Sequence, residues 1–307
     1  PDAPSAVLAA APAAPAADAD DRGEARQALS AWAAPGSAIY ANPACSQLDQ
    51  MLLRCVETEE LLSLLVTHRG VFFVHNLVTA VQVLGALAQE QGDPIQVNAL
   101  LRDPRYDLLI RDLLRFVPKL DFVAMTNVAC SLRQLDHKQY MLLSRMLRPL
   151  LREPPPDAST LLRCVQAYSW AGYHAQDDLY ARFADTLADL VPALSPSEVV
   201  EACSLFGGAR RYQPRLFAAA EEALLGRRML EEALAPHELG AVATAFTSHL
   251  RASHDEVVAG VAAALVREAP RMAVADIALC LRAFRRVALR FEDAVRAGLR
   301  AAAAPLR

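Results

Sequence analysis

Apolar residues recur along most of the chain at the spacing of one helix face, and they do so in blocks. Six segments fall into one register, starting at Phe73, Asp121, Asp157, Ser195, Ala235 and Ala273. Four residues into each come Leu77, Met125, Leu161, Val199, Leu239 and Ile277. Seven in come Ala80, Val128, Cys164, Ala202, Val242 and Cys280. Eight in come Val81, Ala129, Val165, Cys203, Ala243 and Leu281. Eleven in come the bulky residues Leu84, Leu132, Tyr168, Phe206, Phe246 and Phe284. Positions 4, 7, 8 and 11 form one side of an α-helix, not of a strand. Successive starts are separated by 48, 36, 38, 40 and 38 residues. A fixed period of that length signals a stack of helix–turn–helix units.

Each first helix precedes a turn and a second amphipathic stretch, as in 139–151, 178–191 and 215–225. Start and stop signals agree with this division. Ser195-Pro196-Ser197-Glu198 places serine at the N-cap, proline at the first helical position and glutamate two positions later. Ala235-Pro236-His237-Glu238 repeats the proline and glutamate. Pro154-Pro155-Pro156 and Pro192 fall where a helix has to stop. The long first interval predicts an insertion carrying a short helix over 89–104. The expected fold class is all-α, an α-solenoid of about six helix–turn–helix repeats over 73–307. Ahead of it, 24–72 carries a helical stripe (Leu48, Met51, Leu52, Cys55) and reads as the irregular N-terminal cap of the stack. Residues 1–23 are Ala/Pro-rich and end in acid, so they read as an extended or disordered arm. They are too acidic for a mitochondrial presequence, and a start at Pro1 points to a processed or truncated N-terminus.

Composition adjusts this picture little. Hydrophobic residues make up 54% of the 307, and the 12 glycines are too few for a β-rich fold. No stretch reads as a membrane span: 71–88 is apolar, but it holds His75, Asn76, Thr79 and Gln82 and coincides with the first repeat. The net charge of −4 lacks the basic excess of a free-standing RNA binder. Of the 31 basic residues only Lys119 and Lys138 are lysine. Arginine suits bidentate phosphate contacts, although GC-rich coding also produces such a bias. Charge is uneven along the chain. Residues 161–200 set Arg163 and Arg182 against Asp177, Asp178, Asp185, Asp189 and Glu198, whereas 273–307 carry seven arginines against Asp276, Glu292 and Asp293.

The texts MTNVACSLRQLD, SPSEVVEACSLFGGARRY and ADIALCLRAFRRV resemble the helical repeats of the octotricopeptide and heptatricopeptide families, which also precede RAP domains in organellar proteins. The resemblance covers 73–307. It implies a nucleus-encoded protein of mitochondria or chloroplasts that binds organellar RNA or serves as a structural subunit of an organellar ribosome. Two features depart from the pattern: no RAP domain follows the last repeat, and the chain is slightly acidic.

No Walker A loop, G-x-G-x-x-G, H-E-x-x-H or G-x-S-x-G is present. The seven histidines are scattered and read as solvated or capping residues, and Gly207-Gly208 reads as a helix stop. Four cysteines (Cys130, Cys164, Cys203, Cys280) fall on core-facing positions, where the residue acts as a small hydrophobe. Cys45 and Cys55 make one C-x9-C pair, half of what an oxidised helical hairpin would need. The expectation is therefore no catalysis, no cofactor and no metal. Arg210, Arg211, Arg251, Arg285, Arg286 and Arg290 lie near the turn between the two helices of successive repeats. Turns stack along one edge of a solenoid, so these six define a candidate phosphate-binding strip; the other reading is a solvated edge of ordinary surface arginines. The expected role is a structural subunit of a mitochondrial ribonucleoprotein, foremost the mitochondrial ribosome. It would sit in the matrix, touching rRNA or other organellar RNA and neighbouring protein subunits, without membrane insertion. A protein-only scaffold or accessory subunit of another mitochondrial complex, and a free organellar RNA-maturation factor, are the alternatives.

Overall fold

The structure, a computed structural model, describes residues 43–173, 177–208, 212–248, 254–287 and 291–303. Among these residues there are sixteen α-helices and no strand. They are α1 (Pro43–Arg54), α2 (Thr58–Thr67), α3 (Val74–Gln91), α4 (Pro94–Leu101), α5 (Pro104–Phe116), α6 (Phe122–Gln134), α7 (Tyr140–Arg152) and α8 (Ala158–Trp170). There follow α9 (Asp177–Leu190), α10 (Pro196–Gly208), α11 (Pro214–Gly226), α12 (Met229–Glu232), α13 (Glu238–Thr247), α14 (Asp255–Glu268), α15 (Val274–Phe284) and α16 (Glu292–Ala303).

The helices begin where side chains can satisfy orphan amides. Asp121 accepts from the Ala124 N–H at 2.7 Å, and Asp157 from the Thr160 N–H at 2.7 Å. Asp93 and Asp103 cap α4 and α5 in the same way, each followed by proline. At α10 the Ser195 N–H donates to Glu198 Oε2 at 2.9 Å, while the Glu198 N–H donates to Ser195 Oγ. At the Ala235 start the helix proper begins only at Glu238, which reaches back to accept from the Ala235 N–H. Three second helices, α5, α9 and α14, end in a 3-10 turn with a central proline: Val117–Lys119, Val191–Ala193 and Ala269–Arg271. Proline cannot donate to a further turn of helix, so it closes each one.

Packing sorts the helices into two layers. Successive first helices lie against one another in the order α1, α3, α6, α8, α10, α13, α15. The second helices follow beside them as α2, α5, α7, α9, α11, α14, α16. This is an all-α, repeat-like construction. The core runs between the layers: every residue at positions 4, 7, 8 and 11 of the six registered segments is buried except Leu281, which is half-buried. Small residues at positions 7 and 8 let first helices approach closely, and Phe206, Phe246 and Tyr168 fill the space beneath. Edge-on ring pairs such as Tyr180–Phe206 (5.7 Å) and Phe217–Phe246 (5.2 Å) tie the two layers together.

One sequence expectation changes. From Pro43 onward, the segment read as an irregular cap is a helical pair in the same two layers, since α1 packs on α3 and α2 on α5. Gly207-Gly208 does close α10, which ends at Gly208, and Gly207 has a second reason to lack a side chain, because a Cβ there would sit 2.9 Å from the Ala245 Cα of α13. It is there for close approach of two backbones. The insertion over 89–104 does carry a short helix, α4, and the Ala/Pro-rich arm of 1–23 lies outside the described residues.

Candidate nucleic-acid interface

Of the six arginines in the candidate strip, Arg210, Arg211, Arg251 and Arg290 lie outside the described residues. Arg285 and Arg286 occupy the turn between α15 and α16, and both are exposed. Their backbones finish the helix: the Arg285 N–H donates to the Leu281 carbonyl at 3.3 Å and the Arg286 N–H to the Ala283 carbonyl at 2.9 Å. Neither side chain forms an ion pair among the described residues, for the nearby Glu292 and Asp293 both engage Arg296. Two adjacent guanidinium groups in water, without a carboxylate partner, can take phosphate oxygens bidentately.

Sequence reasoning missed residues at an equivalent turn. Lys138, between α6 and α7, places its ammonium 5.6 Å from the Trp170 ring at the end of α8. The Trp170 indole N–H donates to Asp136 Oδ1 at 3.3 Å. This edge therefore presents an ammonium and an indole side by side, a pairing suited to phosphate and base contact. The available signal was that Lys138 is one of two lysines in the chain and lies 32 residues, nearly one repeat, before Trp170.

The outer face of the first layer carries polar bonds from helix to helix. Gln134 donates to Gln89 Oε1 at 3.1 Å, and Arg163 to Asn127 Oδ1 at 2.8 Å. Arg133 donates to Gln166 Oε1 at 2.8 Å, and Gln166 in turn donates to Glu201. Burial pushes the Glu201 carboxyl above its ordinary value, against the opposing pull of Gln166. This polar ladder spans α3 to α10. In the acidic middle, Arg215 of α11 pairs with Asp189 and, at 3.8 Å, with Asp185. Part of the negative charge legible in the sequence is thus neutralised within the fold.

The histidine expectation needs correction at three positions, because helix packing brings partners together from distant parts of the chain. His254 is buried among Tyr212, Phe217 and Phe246, and its Nδ1 lies 2.7 Å from Glu221 Oε2. His137 Nδ1 lies 2.8 Å from the Tyr106 hydroxyl, and burial lowers the His137 pKa against the opposing charge of Asp107. His75 sits 3.3 Å from Asp49, which also accepts from Asn76 Nδ2 at 2.7 Å. These contacts pin α14 to α11, the α6–α7 turn to α5, and α3 to α1. None sits beside a serine or cysteine nucleophile in these contacts, so they read as polar junctions of the stack.

The core cysteines are inert as acids. Burial pushes the thiols of Cys164, Cys203 and Cys280 to about 12 and that of Cys55 to about 11. Cys55 is free and buried; the Cys45 side chain lies outside the described residues. No cluster of three or more His, Cys, Asp or Glu that could hold a metal occurs among the described residues. An open cavity of about 370 Å³ between α1 and α2 is lined by Met51, Arg54, Glu60, Ser63, Leu64 and Thr67. Among the described residues no helix is long and apolar enough to cross a membrane.

No protein-family model matches the chain, and no curated protein matches it. The class that the fold defines is therefore the helical-repeat-like all-α protein, and its function has to be argued from surfaces.

Proposed function

We propose that the chain is an α-solenoid of about six octotricopeptide-like repeats that acts without catalysis as a structural subunit of a mitochondrial ribonucleoprotein, foremost the mitochondrial ribosome. Its helical layers hold neighbouring protein subunits, and its turn edge contacts rRNA. The observation that carries this reading is the exposed, carboxylate-free pair Arg285 and Arg286 in the α15–α16 turn. The Lys138–Trp170 pair at another turn supports it. A contact confined to one edge also fits a chain whose net charge is −4, since a subunit anchored by proteins needs only a few phosphate contacts. Arg210, Arg211, Arg251 and Arg290 belong to the same proposed strip.

The test is twofold. Release of the chain from its native assembly by RNase supports an RNA anchor, and full retention after digestion overturns it. In vitro, Arg285→Glu/Arg286→Glu is expected to weaken single-stranded RNA binding and to lower the slope of log affinity against log salt by roughly one per lost contact. The second reading is a protein-only scaffold. The polar ladder on the first layer favours it, since its side chains bond to one another rather than standing ready for a nucleic acid.

A further inference from the structure

We infer that the outer face of α5 and α7, in the second layer, is a platform for the phosphate backbone of double-stranded RNA. It extends the RNA contact of the proposed function beyond the turn edge, and the choice of RNA over DNA rests on that reading.

The second helices keep a register of their own. In steps of 37 residues, Tyr106, Leu143, Tyr180 and Phe217 are equivalent, as are Leu113, Leu150, Leu187 and Leu224. All of these are buried. The same steps define two outward positions. The first holds Arg111, Arg148, Asp185 and Glu222; the second holds Arg115, Arg152, Asp189 and Gly226. All eight are exposed. Arginine thus fills both positions on α5 and α7, and acid or glycine replaces it on α9 and α11. A coding bias toward arginine would act on every unit alike, so it does not explain this contrast. The acids of the later units also let a basic face coexist with a net charge of −4.

Four residues of helix rise about 6 Å, and packed helices lie about 8–10 Å apart. The four arginines therefore mark the corners of a rectangle of about those dimensions. Lys119 ends the 3-10 turn that packs on α7, and Arg145 is exposed one turn before Arg148, so both extend the rows. Arg115 and Lys119 are also held in place, with their cationic groups 5.6 and 5.3 Å from the centre of the Phe116 ring. Most neighbouring acids are engaged. Asp107 pairs with Arg111 at 3.5 Å, a contact between exposed groups that phosphate can readily replace. Asp112 pairs with Arg69 at 3.0 Å, and Asp185 and Asp189 pair with Arg215. Arg115, Lys119, Arg145, Arg148 and Arg152 form no ion pair among the described residues. Glu153, just past α7, and Asp178, in the first turn of α9, are too few to offset them.

The same face says what it does not hold. The exposed large apolar residues of α5 and α7 are Tyr140 and Met141, both at the end of α7 away from Arg148 and Arg152. A protein partner needs apolar anchors, and a membrane-bound helix needs an apolar face. A single strand would have to be ordered to lie along both rows and would find no free aromatic ring among the arginines for its bases. A duplex presents two strands of phosphate already fixed, and double-stranded RNA is recognised through its backbone and shape.

The test titrates the full chain into a fluorescein-labelled RNA duplex of about 16 base pairs, followed by anisotropy. Saturable binding is expected, tighter than to either separated strand. Arg148→Gln/Arg152→Gln is expected to weaken it about tenfold or more and to lower the salt slope by roughly one per lost contact. Both positions are exposed, and circular dichroism checks that helix content is unchanged. Asp185→Arg continues the rows onto α9 and is expected to tighten binding, a gain that misfolding cannot mimic. Absence of duplex binding, or binding indifferent to both variants, overturns the proposal. So does tighter binding of poly-glutamate or of phosphatidylserine vesicles, which would make an acidic protein segment or a membrane the occupant. Tighter binding of a DNA duplex of the same sequence overturns the choice of RNA. Arg285→Glu/Arg286→Glu is expected to leave duplex binding in place; its loss in that variant, with Arg148→Gln/Arg152→Gln unaffected, overturns the platform and moves the contact to the turn edge. Single-strand binding tests the turn strip and duplex binding the platform, so the failure of either is distinguishable from the failure of the other.

Discussion

Replacing Gly207 by alanine is expected to destabilise the protein even though alanine is the better helix former. Gly207 is the next-to-last residue of α10. A Cβ there would sit 2.9 Å from the Ala245 Cα, 3.2 Å from its Cβ and 3.4 Å from its carbonyl oxygen. Comfortable carbon–carbon contact is about 3.5–4.0 Å. The obstacle is backbone, so no side-chain rotation relieves it, and α10 and α13 have to separate by several tenths of an ångström. Overpacking of this kind costs about 1–3 kcal/mol, and separating two backbones falls toward the upper part of that range. Helix propensity returns about 1 kcal/mol to alanine. The net expectation is a loss of about 1–2 kcal/mol, a factor of roughly 5–30 in the folded-to-unfolded ratio. Gly226 at the end of α11 supplies the control, for a Cβ there meets nothing within 4 Å, and Gly226→Ala is expected to be neutral or to stabilise by about 0.5 kcal/mol. Urea denaturation followed by far-ultraviolet circular dichroism measures both. A Gly207→Ala protein as stable as the parent would refute the close approach of α10 and α13, and with it the helix-on-helix stacking of the first layer.

Other expectations follow from particular contacts. Phe206→Ala, which empties a fully buried ring site between α10 and its neighbours, is expected to cost about 3–5 kcal/mol by the same denaturation assay. Tyr168→Phe removes the hydroxyl that donates to the Leu143 carbonyl at 3.0 Å and is expected to cost about 1 kcal/mol. Arg105 donates to Glu59 and Asp103 at 2.7 Å each, and its bonds hold both carboxyls below their ordinary values of 4.5 and 3.8. A depressed carboxyl contributes stability above its unfolded pKa and loses it as pH falls through the folded one. Destabilisation by Arg105→Ala should therefore be fully present at neutral pH and shrink in acid below those values; a loss that is constant with pH would reject the pairing. The thiols of Cys164, Cys203 and Cys280 are expected to resist a disulfide reagent in the native protein and react on unfolding, and rapid native reaction at these three would contradict their burial.

The helical layers were legible in the sequence because their cause is local. A face of small residues at positions 7 and 8 with a bulky one at position 11 can pack only against another helix, so period and burial report the same constraint. Where the period broke, reading failed. Counting from Ala44, the same spacing lands on Leu48, Met51, Leu52 and Cys55, yet only 29 residues separate Ala44 from Phe73. The shortness of α2 hid a pair that continues both layers. Contacts made across the stack were not legible at all. Nothing in the text near His254 announces Glu221, which is 33 residues away, and Lys138 meets Trp170 only because successive turns lie side by side. The arginines of 273–307 were visible as a cluster, but which of them project from a turn depends on where α15 ends.

The turn edge offers the exposed guanidinium groups of Arg285 and Arg286, and binding of phosphates there has to weaken with salt. Raising salt from about 0.05 to 0.2 M is expected to weaken RNA binding severalfold if both arginines hold phosphate oxygens. A scaffold that meets its partners through apolar burial would lose far less over the same range. An RNA affinity that does not fall with salt would mean that these two arginines do not carry the contact.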